Sequence, residues 1–217
     1  MEFLVNKITL SVGICGFILA FSLPIAAQTS TFTDPRDGQK YRTVKIGKQT
    51  WMAENLNYKI SNSLCYENNE ANCQKYGRLY DWNTAMKACP AEWRLPTEND
   101  WSNLIKTVGG SKIAGKKLKS KTGWSDDGNG TDDYGFSALP GGEYGPNGPN
   151  SSRFSSIGIF GYWWGTEEEE DGGDNSFVVK MRSDDAPNPD HGGTVDGVSG
   201  YGSRGKRYQQ SVRCVQK

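Results

Sequence analysis

Cys89-Pro90-Ala91-Glu92-Trp93-Arg94-Leu95-Pro96-Thr97-Glu98-Asn99-Asp100-Trp101 reads as a joint between two short helices. Upstream, Trp82, Ala85, Met86 and Cys89 recur at i, i+3, i+4 and i+7, which is one face of a helix. Pro90 has no N–H to carry that helix further. Downstream, Thr97 suits an N-cap, and Asp100 stands where a capping box usually has Glu or Gln. Trp101, Leu104, Ile105 and Val108 repeat the helical spacing, and Gly109-Gly110 supplies a C′ glycine. The stretch predicts two amphipathic helices at a fixed angle, with Trp93 and Leu95 between them.

Working outward to the N-terminus, Lys7 precedes an almost unbroken apolar run from Ile8 to Phe21, and Ser22 to Ala27 ends it with a proline and small residues. This is the layout of a signal peptide, residues 1–27, cleaved after Ala27. The run falls short of the roughly 20 apolar residues of a membrane span. An uncleaved anchor is the alternative. Lipidation at Cys15 is a weaker one, because Cys15 lies mid-run behind Ile14 rather than behind a small residue. Export to the extracellular space or cell surface follows, with no membrane insertion after cleavage. Residues 28–35 read as a short flexible lead and 36–217 as a single domain, long enough to bury a core. With 25 basic and 25 acidic residues the chain has no electrostatic footprint for nucleic acid.

Four cysteines remain after cleavage: Cys65, Cys73, Cys89 and Cys214. An exported chain with an even count suggests disulfides, and four cysteines allow three pairings. Cys65–Cys73 would close a polar loop, and Cys89–Cys214 would tie the end of the first helix to the last strand. Spacings of 8, 16 and 125 residues do not match close-paired zinc ligands, and His191 is the only histidine.

The remaining chain mixes short strands with turns. Tyr41–Ile46 and Gln49–Met52 form a hairpin about Gly47-Lys48, with Ile46 and Trp51 inward. Leu79-Tyr80 enters the first helix, capped by Asp81. Ser111–Ser120 reads as a third helix whose Lys112, Lys116, Lys117 and Lys119 form a solvated face, an anionic-polymer patch being the sharper alternative. Phe136–Leu139, Gly161–Thr166, Phe177–Met181 and Ser211–Val215 read as strands, the last near-central. Residues 122–150 and 183–208 are Gly/Asp/Pro-rich and read as long structured loops, which are often functional.

Six ordered motifs then carry a resemblance: Trp51-Met52-Ala53-Glu54-Asn55-Leu56, Tyr76–Trp82, Cys89-Pro90 through Trp93-Arg94-Leu95-Pro96-Thr97, Gly135–Gly142, Tyr162-Trp163-Trp164, and Ser211–Val215. Together they resemble the Fibrobacter succinogenes major paralogous domain over residues 34–217, a family of secreted or surface proteins that carries no defined biochemical role. Trp93–Glu98 with Asp100-Trp101 and the closing Val212-Arg213-Cys214 are more distantly similar to the formylglycine-generating group. That likeness implies an α+β fold of C-type lectin-like architecture: two main helices packed on a small twisted antiparallel sheet, with long structured loops. In that fold a cysteine on the first helix commonly pairs with the last strand, which supports Cys89–Cys214.

Three functions compete. The leading expectation is a non-catalytic binding module for a glycan or an extracellular protein. Its ligand would be held by loop aromatics Trp124, Tyr134, Tyr144 and Tyr201 and by one of Trp163 and Trp164, which alternate faces on one strand. Calcium is the one cofactor suggested: Asp126, Asp127, Asn129, Asp132 and Asp133 alternate with turn residues in the composition a hard cation takes, though not at EF-hand spacing. Glu167–Asp171 with Asp174-Asn175 is a second acidic cluster. The other expectations are a structural or assembly domain and a divergent enzyme of the formylglycine-generating group. That enzyme would need a reactive cysteine pair near the C-terminus, where Cys214 stands alone.

Overall fold

The computed structural model describes residues 28–146, 153–168, 173–184 and 201–217, with Tyr201 described by its backbone alone. The signal-peptide segment 1–27 and His191 lie outside the described residues.

The chain opens with β1 (Gln28–Thr33), β2 (Lys40–Ile46) and β3 (Gln49–Met52), joined antiparallel. Residues 28–33 are therefore not a free lead. Their backbone pairs with residues 40–45, and Ser30 Oγ meets Thr43 Oγ1 at 2.6 Å. Next come β4 (Ser63–Leu64), α1 (Glu70–Tyr76), β5 (Leu79–Tyr80), α2 (Trp82–Ala88) and β6 (Trp93–Arg94). After them run α3 (Glu98–Thr107), α4 (Ser111–Leu118), β7 (Gly141–Tyr144), β8 (Phe154–Ile157), β9 (Phe160–Glu168), β10 (Asn175–Arg182), β11 (Tyr201–Gly205), β12 (Gln210–Ser211) and β13 (Val215–Gln216). One sheet has the order β1-β2-β3-β13-β6. The other runs β11-β10-β9-β12-β5-β4, with the β7–β8 hairpin attached along β9. The architecture is α+β. Most pairings are antiparallel; β9 meets β12 and β7 in parallel.

The joint forms largely as its residues dictate. Asp81 caps α2 through Thr84 N at 2.8 Å. Thr97 Oγ1 accepts from Asp100 N at 3.0 Å while Asp100 Oδ2 accepts from Thr97 N at 2.8 Å, a full capping box made with Asp. Arg94 closes on the same carboxylate through both terminal nitrogens, at 2.5 and 2.9 Å. At the far end of α3, Gly109 takes φ +112°, and N–H groups of Gly109 and Gly110 return to the carbonyls of Lys106 and Ile105. Met86 differs from expectation and is exposed, because α2 is only seven residues long and buries Trp82, Ala85 and Ala88 instead.

The sheets separate two cores. Trp51, Trp101, Leu104, Ile105, Val108, Phe136, Trp163, Val179 and Met181 pack on the α3–α4 side. Tyr41, Met52, Tyr80, Trp82, Ala85, Trp93, Leu95, Trp164 and Val212 pack on the α2 side. Trp93 and Leu95 thus belong to the core of α2 rather than lying midway between the helices. Alternation on β9 sends Trp163 into the first core and Trp164 into the second. Gly161 is required beside them, since a Cβ there would lie 2.3 Å from the Trp163 ring and 2.9 Å from Leu139 O.

Ser211–Val215 is not one strand. Gln210–Ser211 pairs in one sheet and Val215–Gln216 in the other, and between them the carbonyls of Val212 and Cys214 accept from Leu56 N and Met52 N. At this crossing Arg213 is fully buried. Its Nε and Nη2 donate to Asn55 Oδ1 at 3.0 and 2.7 Å, and Nη1 reaches Phe136 O at 2.5 Å. Asn55 Oδ1 also accepts from Trp163 Nε1 at 2.8 Å, and Asn55 Nδ2 donates to Tyr76 O at 2.8 Å. Burial pushes the guanidinium down, to about 9, so it stays charged at neutral pH. This knot also explains why Phe136–Leu139 is no ladder strand: Arg213 takes the carbonyls of Phe136 and Ser137, and Ser137 sits at φ +53°.

Candidate functional site

Both disulfides are formed, Cys65–Cys73 and Cys89–Cys214, with Cα separations of 5.0 and 5.9 Å. Among the described residues the one cluster of three potential metal-ligating side chains is Cys65, Glu70 and Cys73, whose two sulfurs are spent in the cystine.

The acidic loop does not converge. Asp126 and Asp127 are exposed at φ +53° and +57°. Asn129 Oδ1 accepts from Trp124 N at 3.1 Å, and Asp132 accepts from Ser137 N and Oγ at 2.7 Å each. Asp133 is exposed. Asn129 and Asp132 shape the loop from within, and no three carboxylates of the loop come together among the described residues. In the second cluster, Glu167 accepts from Glu98 N at 2.8 Å and Glu168 pairs with Lys206; residues 169–172 lie outside the described residues.

The aromatics expected at a ligand are mostly core. Trp163 and Trp164 are both 0 % exposed and donate to Asn55 Oδ1 and Tyr80 O, so neither is open to a ligand; Trp163 shares its core with Trp124, Phe136 and Ala138 of the glycine-rich segment. Trp124 is buried and donates to Ala138 O at 3.0 Å. Tyr134 is half-buried against the first core, 5.8 Å beneath Lys117 Nζ. Tyr144 is half-buried on β7, its ring tilted against Phe154 at 4.9 Å between centroids. The side chain of Tyr201 lies outside the described residues, and its backbone is strand rather than loop.

The lysines of α4 are also committed. Lys116 donates to Asn129 O, Lys117 to Val108 O, and fully buried Lys119 to the carbonyls of Arg182 and Ser183. Lys112 and Lys116 are exposed and fit the solvated face, whereas Lys117 is half-buried and Lys119 is core.

Chemistry gathers instead on one face of β9 and β10. Cross-strand register sets Phe160 opposite Arg182 and Tyr162 opposite Lys180, and directly opposed residues share a face. Val178 and Trp164, further along that face, are covered by the core of α2. Beyond them the face turns aromatic and cationic. Phe160 and Tyr162 stack at 5.5 Å, and Lys180 Nζ and Arg182 Cζ sit 5.0 and 5.5 Å from the Phe160 centroid. From β11, Arg204 lies 5.7 Å from Tyr162 and 4.2 Å from Tyr208.

Buried Glu143 holds Arg204 through both carboxylate oxygens and accepts from Gln210 Nε2 at 3.3 Å. Arg182 pairs with Asp184 at 3.0 Å, while its buried Nε has no partner among the described residues. Burial opposes the charge of Arg204, and Glu143 outweighs it, so its pKa rises. Burial, then Arg204 and Arg182, push the Lys180 ammonium down. Burial, followed by Glu143, pushes the Tyr162 phenol up.

Read only as a strand, Phe177–Met181 gives Lys180 no special place. The available signal is alternation: Lys180 follows Val178 on one face of the strand, while Phe177, Val179 and Met181 stay apolar on the other.

Fold and face together define an α+β domain with two cystines and one cationic-aromatic sheet face. Residues 44–216 match the model of the Fibrobacter succinogenes major domain, and the chain belongs to that family. Comparison with curated proteins and with solved structures returns no match.

Proposed function

We propose that the domain is an exported, non-catalytic binding module of C-type lectin-like architecture, whose ligand, a glycan or an extracellular protein, is held on the face of Phe160, Tyr162, Lys180, Arg182 and Arg204. Several features favour the architecture. Helices α2 and α3 flank antiparallel sheets, the initial and final strands share a sheet, and Cys89 at the end of α2 bonds the C-terminal segment. The cystines suit an oxidising compartment. Among the described residues no helix is long and apolar enough to cross a membrane.

One observation carries the binding reading. Three adjacent strands present half-buried Phe160, Lys180, Arg182 and Arg204 around buried Tyr162, the arginines oriented by Glu143 and Asp184, at the end of a face whose other half is covered by α2. Against the formylglycine-type enzyme stands Cys214, bonded to Cys89 and so not a nucleophile. The test is a glycan array on the oxidised protein, run with calcium and with chelator, beside a thiol titration. Glycan binding with no free thiol is expected. No binding would move the domain to a structural or assembly role, and a reactive thiol pair would return it to the enzymes.

A further inference from the structure

We propose that Lys180, Arg182 and Arg204 form a subsite for the oxyanion groups, carboxylate or sulfate, of an acidic polysaccharide. This rests on the reading of the domain as a binding module and names its ligand class.

The argument starts from Lys180. Its side chain is half-buried over Phe160, and its ammonium has no hydrogen-bond or ion-pair partner among the described residues. Burying a cation costs free energy unless an anion or a set of acceptors meets it. The other buried and half-buried lysines satisfy that demand: fully buried Lys119 with two carbonyls, Lys117 with Val108 O at 3.0 Å and Lys206 with Glu168 at 2.7 Å. The other cations of its face are Arg182 and Arg204. Their charges are balanced by Asp184 and Glu143, which hold Arg182 and Arg204. One positive charge is left over on this face, that of Lys180. An oxyanion placed against Lys180 would answer that charge, since a carboxylate or sulfate accepts several charge-assisted bonds.

A polysaccharide suits the face better than an acidic protein. Protein interfaces concentrate their energy in clustered apolar and aromatic anchors. Here the exposed large apolar side chains among the described residues are Met86, Ile113 and Ile159, on α2, α4 and the turn before β9. The aromatics of the face are instead stacked under its cations. That arrangement fixes the cations and leaves polar edges for a ligand.

The experiment titrates the oxidised protein with polygalacturonate, fully methyl-esterified polygalacturonan, dextran sulfate and poly-L-glutamate. Polygalacturonate or dextran sulfate is expected to bind, and which of them does so identifies carboxylate or sulfate. K180Q should weaken that binding at least about tenfold. K180R should retain it, and K112Q, which removes an exposed lysine on α4, should leave it unchanged. An unaltered urea midpoint for K180Q shows that the fold is kept. Equal loss in K112Q, no loss in K180Q, or equal binding of the esterified polymer would overturn the subsite. Binding of the esterified polymer that is insensitive to K180Q would keep the module and remove the anion. Preference for poly-L-glutamate would replace the polysaccharide with an acidic protein, and no binding by any polymer would sink both readings.

Discussion

Replacing Asn55 by leucine keeps the side-chain shape and strips the acceptor at the centre of the fold. Asn55 Oδ1 receives Arg213 Nε, Arg213 Nη2 and Trp163 Nε1 at 3.0, 2.7 and 2.8 Å. In N55L, Arg213 keeps carbonyl contacts to Met52, Phe136 and Ser137, all through its terminal nitrogens, and its Nε is left bare. Two charge-assisted bonds at about 1.5–3 kcal/mol each, with an orphaned indole N–H at about 1–3, give a gross loss of roughly 4–9 kcal/mol. Partial relaxation brings the expected value to about 4–6 kcal/mol, a large share of the ~5–15 kcal/mol that holds a domain together. R213M removes the charge and strands the carbonyls of Phe136 and Ser137, at about 3–5 kcal/mol. The double variant N55L/R213M has no buried charge in need of an acceptor. It should therefore lose at least about 2 kcal/mol less than the sum of the singles. Urea unfolding of the oxidised proteins at constant m-value measures all three. Additivity within about 0.5 kcal/mol, or a loss under about 1.5 kcal/mol for N55L, would refute the knot as an energetic unit.

Two other predictions concern the joint. Loop-closure entropy over the separations of 8 and 125 residues makes C65S cost about 2.5 kcal/mol and C89S about 5; equal losses in melting temperature would contradict this. Burial alone would raise the Asp100 carboxyl, but hydrogen bonds from Arg94 and Thr97 bring it from 3.8 down to about 2. A folded value below the unfolded one adds stability that is complete above about pH 5 and lost as pH falls from about 4 toward 2, some 1–2 kcal/mol after solvent screening. The difference in stability between the parent and D100N should shrink by that amount across this window, and parallel acid-unfolding curves would rule the coupling out.

The parts of the fold legible in the sequence are those fixed by local chemistry. Asp81 and Thr97 announce their helices, Gly109 ends one, and the Gly47-Lys48 turn sets a hairpin whose register follows from Ile46 and Trp51. The elements that escaped notice owe their form to distant partners. Polar Gln28–Thr33 is a strand only because β2 lies beside it, and Tyr201–Gly205 only because β10 does. Met86 shows the limit of periodicity in a short helix, where one turn decides which face is buried. The Trp51–Leu56, Tyr76–Trp82, Gly135–Gly142, Tyr162–Trp164 and Ser211–Val215 motifs look like candidate sites when read singly. Through Met52, Asn55, Tyr76, Phe136, Ser137, Trp163, Ser211 and Arg213 they meet at one buried knot. They are the means by which two sheets and a long glycine-rich segment are held to each other.

That convergence moves the search for a site away from the most distinctive residues. A tryptophan in a Gly/Asp-rich stretch is as easily the loop's own core as a ligand platform, and Trp124 bonded to Ala138 O is the former. The ordinary alternation of β10 is more informative. Phe177, Val179 and Met181 stay apolar on the face toward α3, whereas the opposite face passes from Val178 to Lys180 and Arg182. On β9 the same face passes from Trp164 to Tyr162 and Phe160. A sheet face normally ends in solvent with freely hydrated side chains. This one ends in a half-buried lysine over phenylalanine, sharing its face with two arginines and with no acceptor of its own among the described residues. Such a face is sheltered like a core but charged like a surface, and an anion against Lys180 is the arrangement that satisfies both.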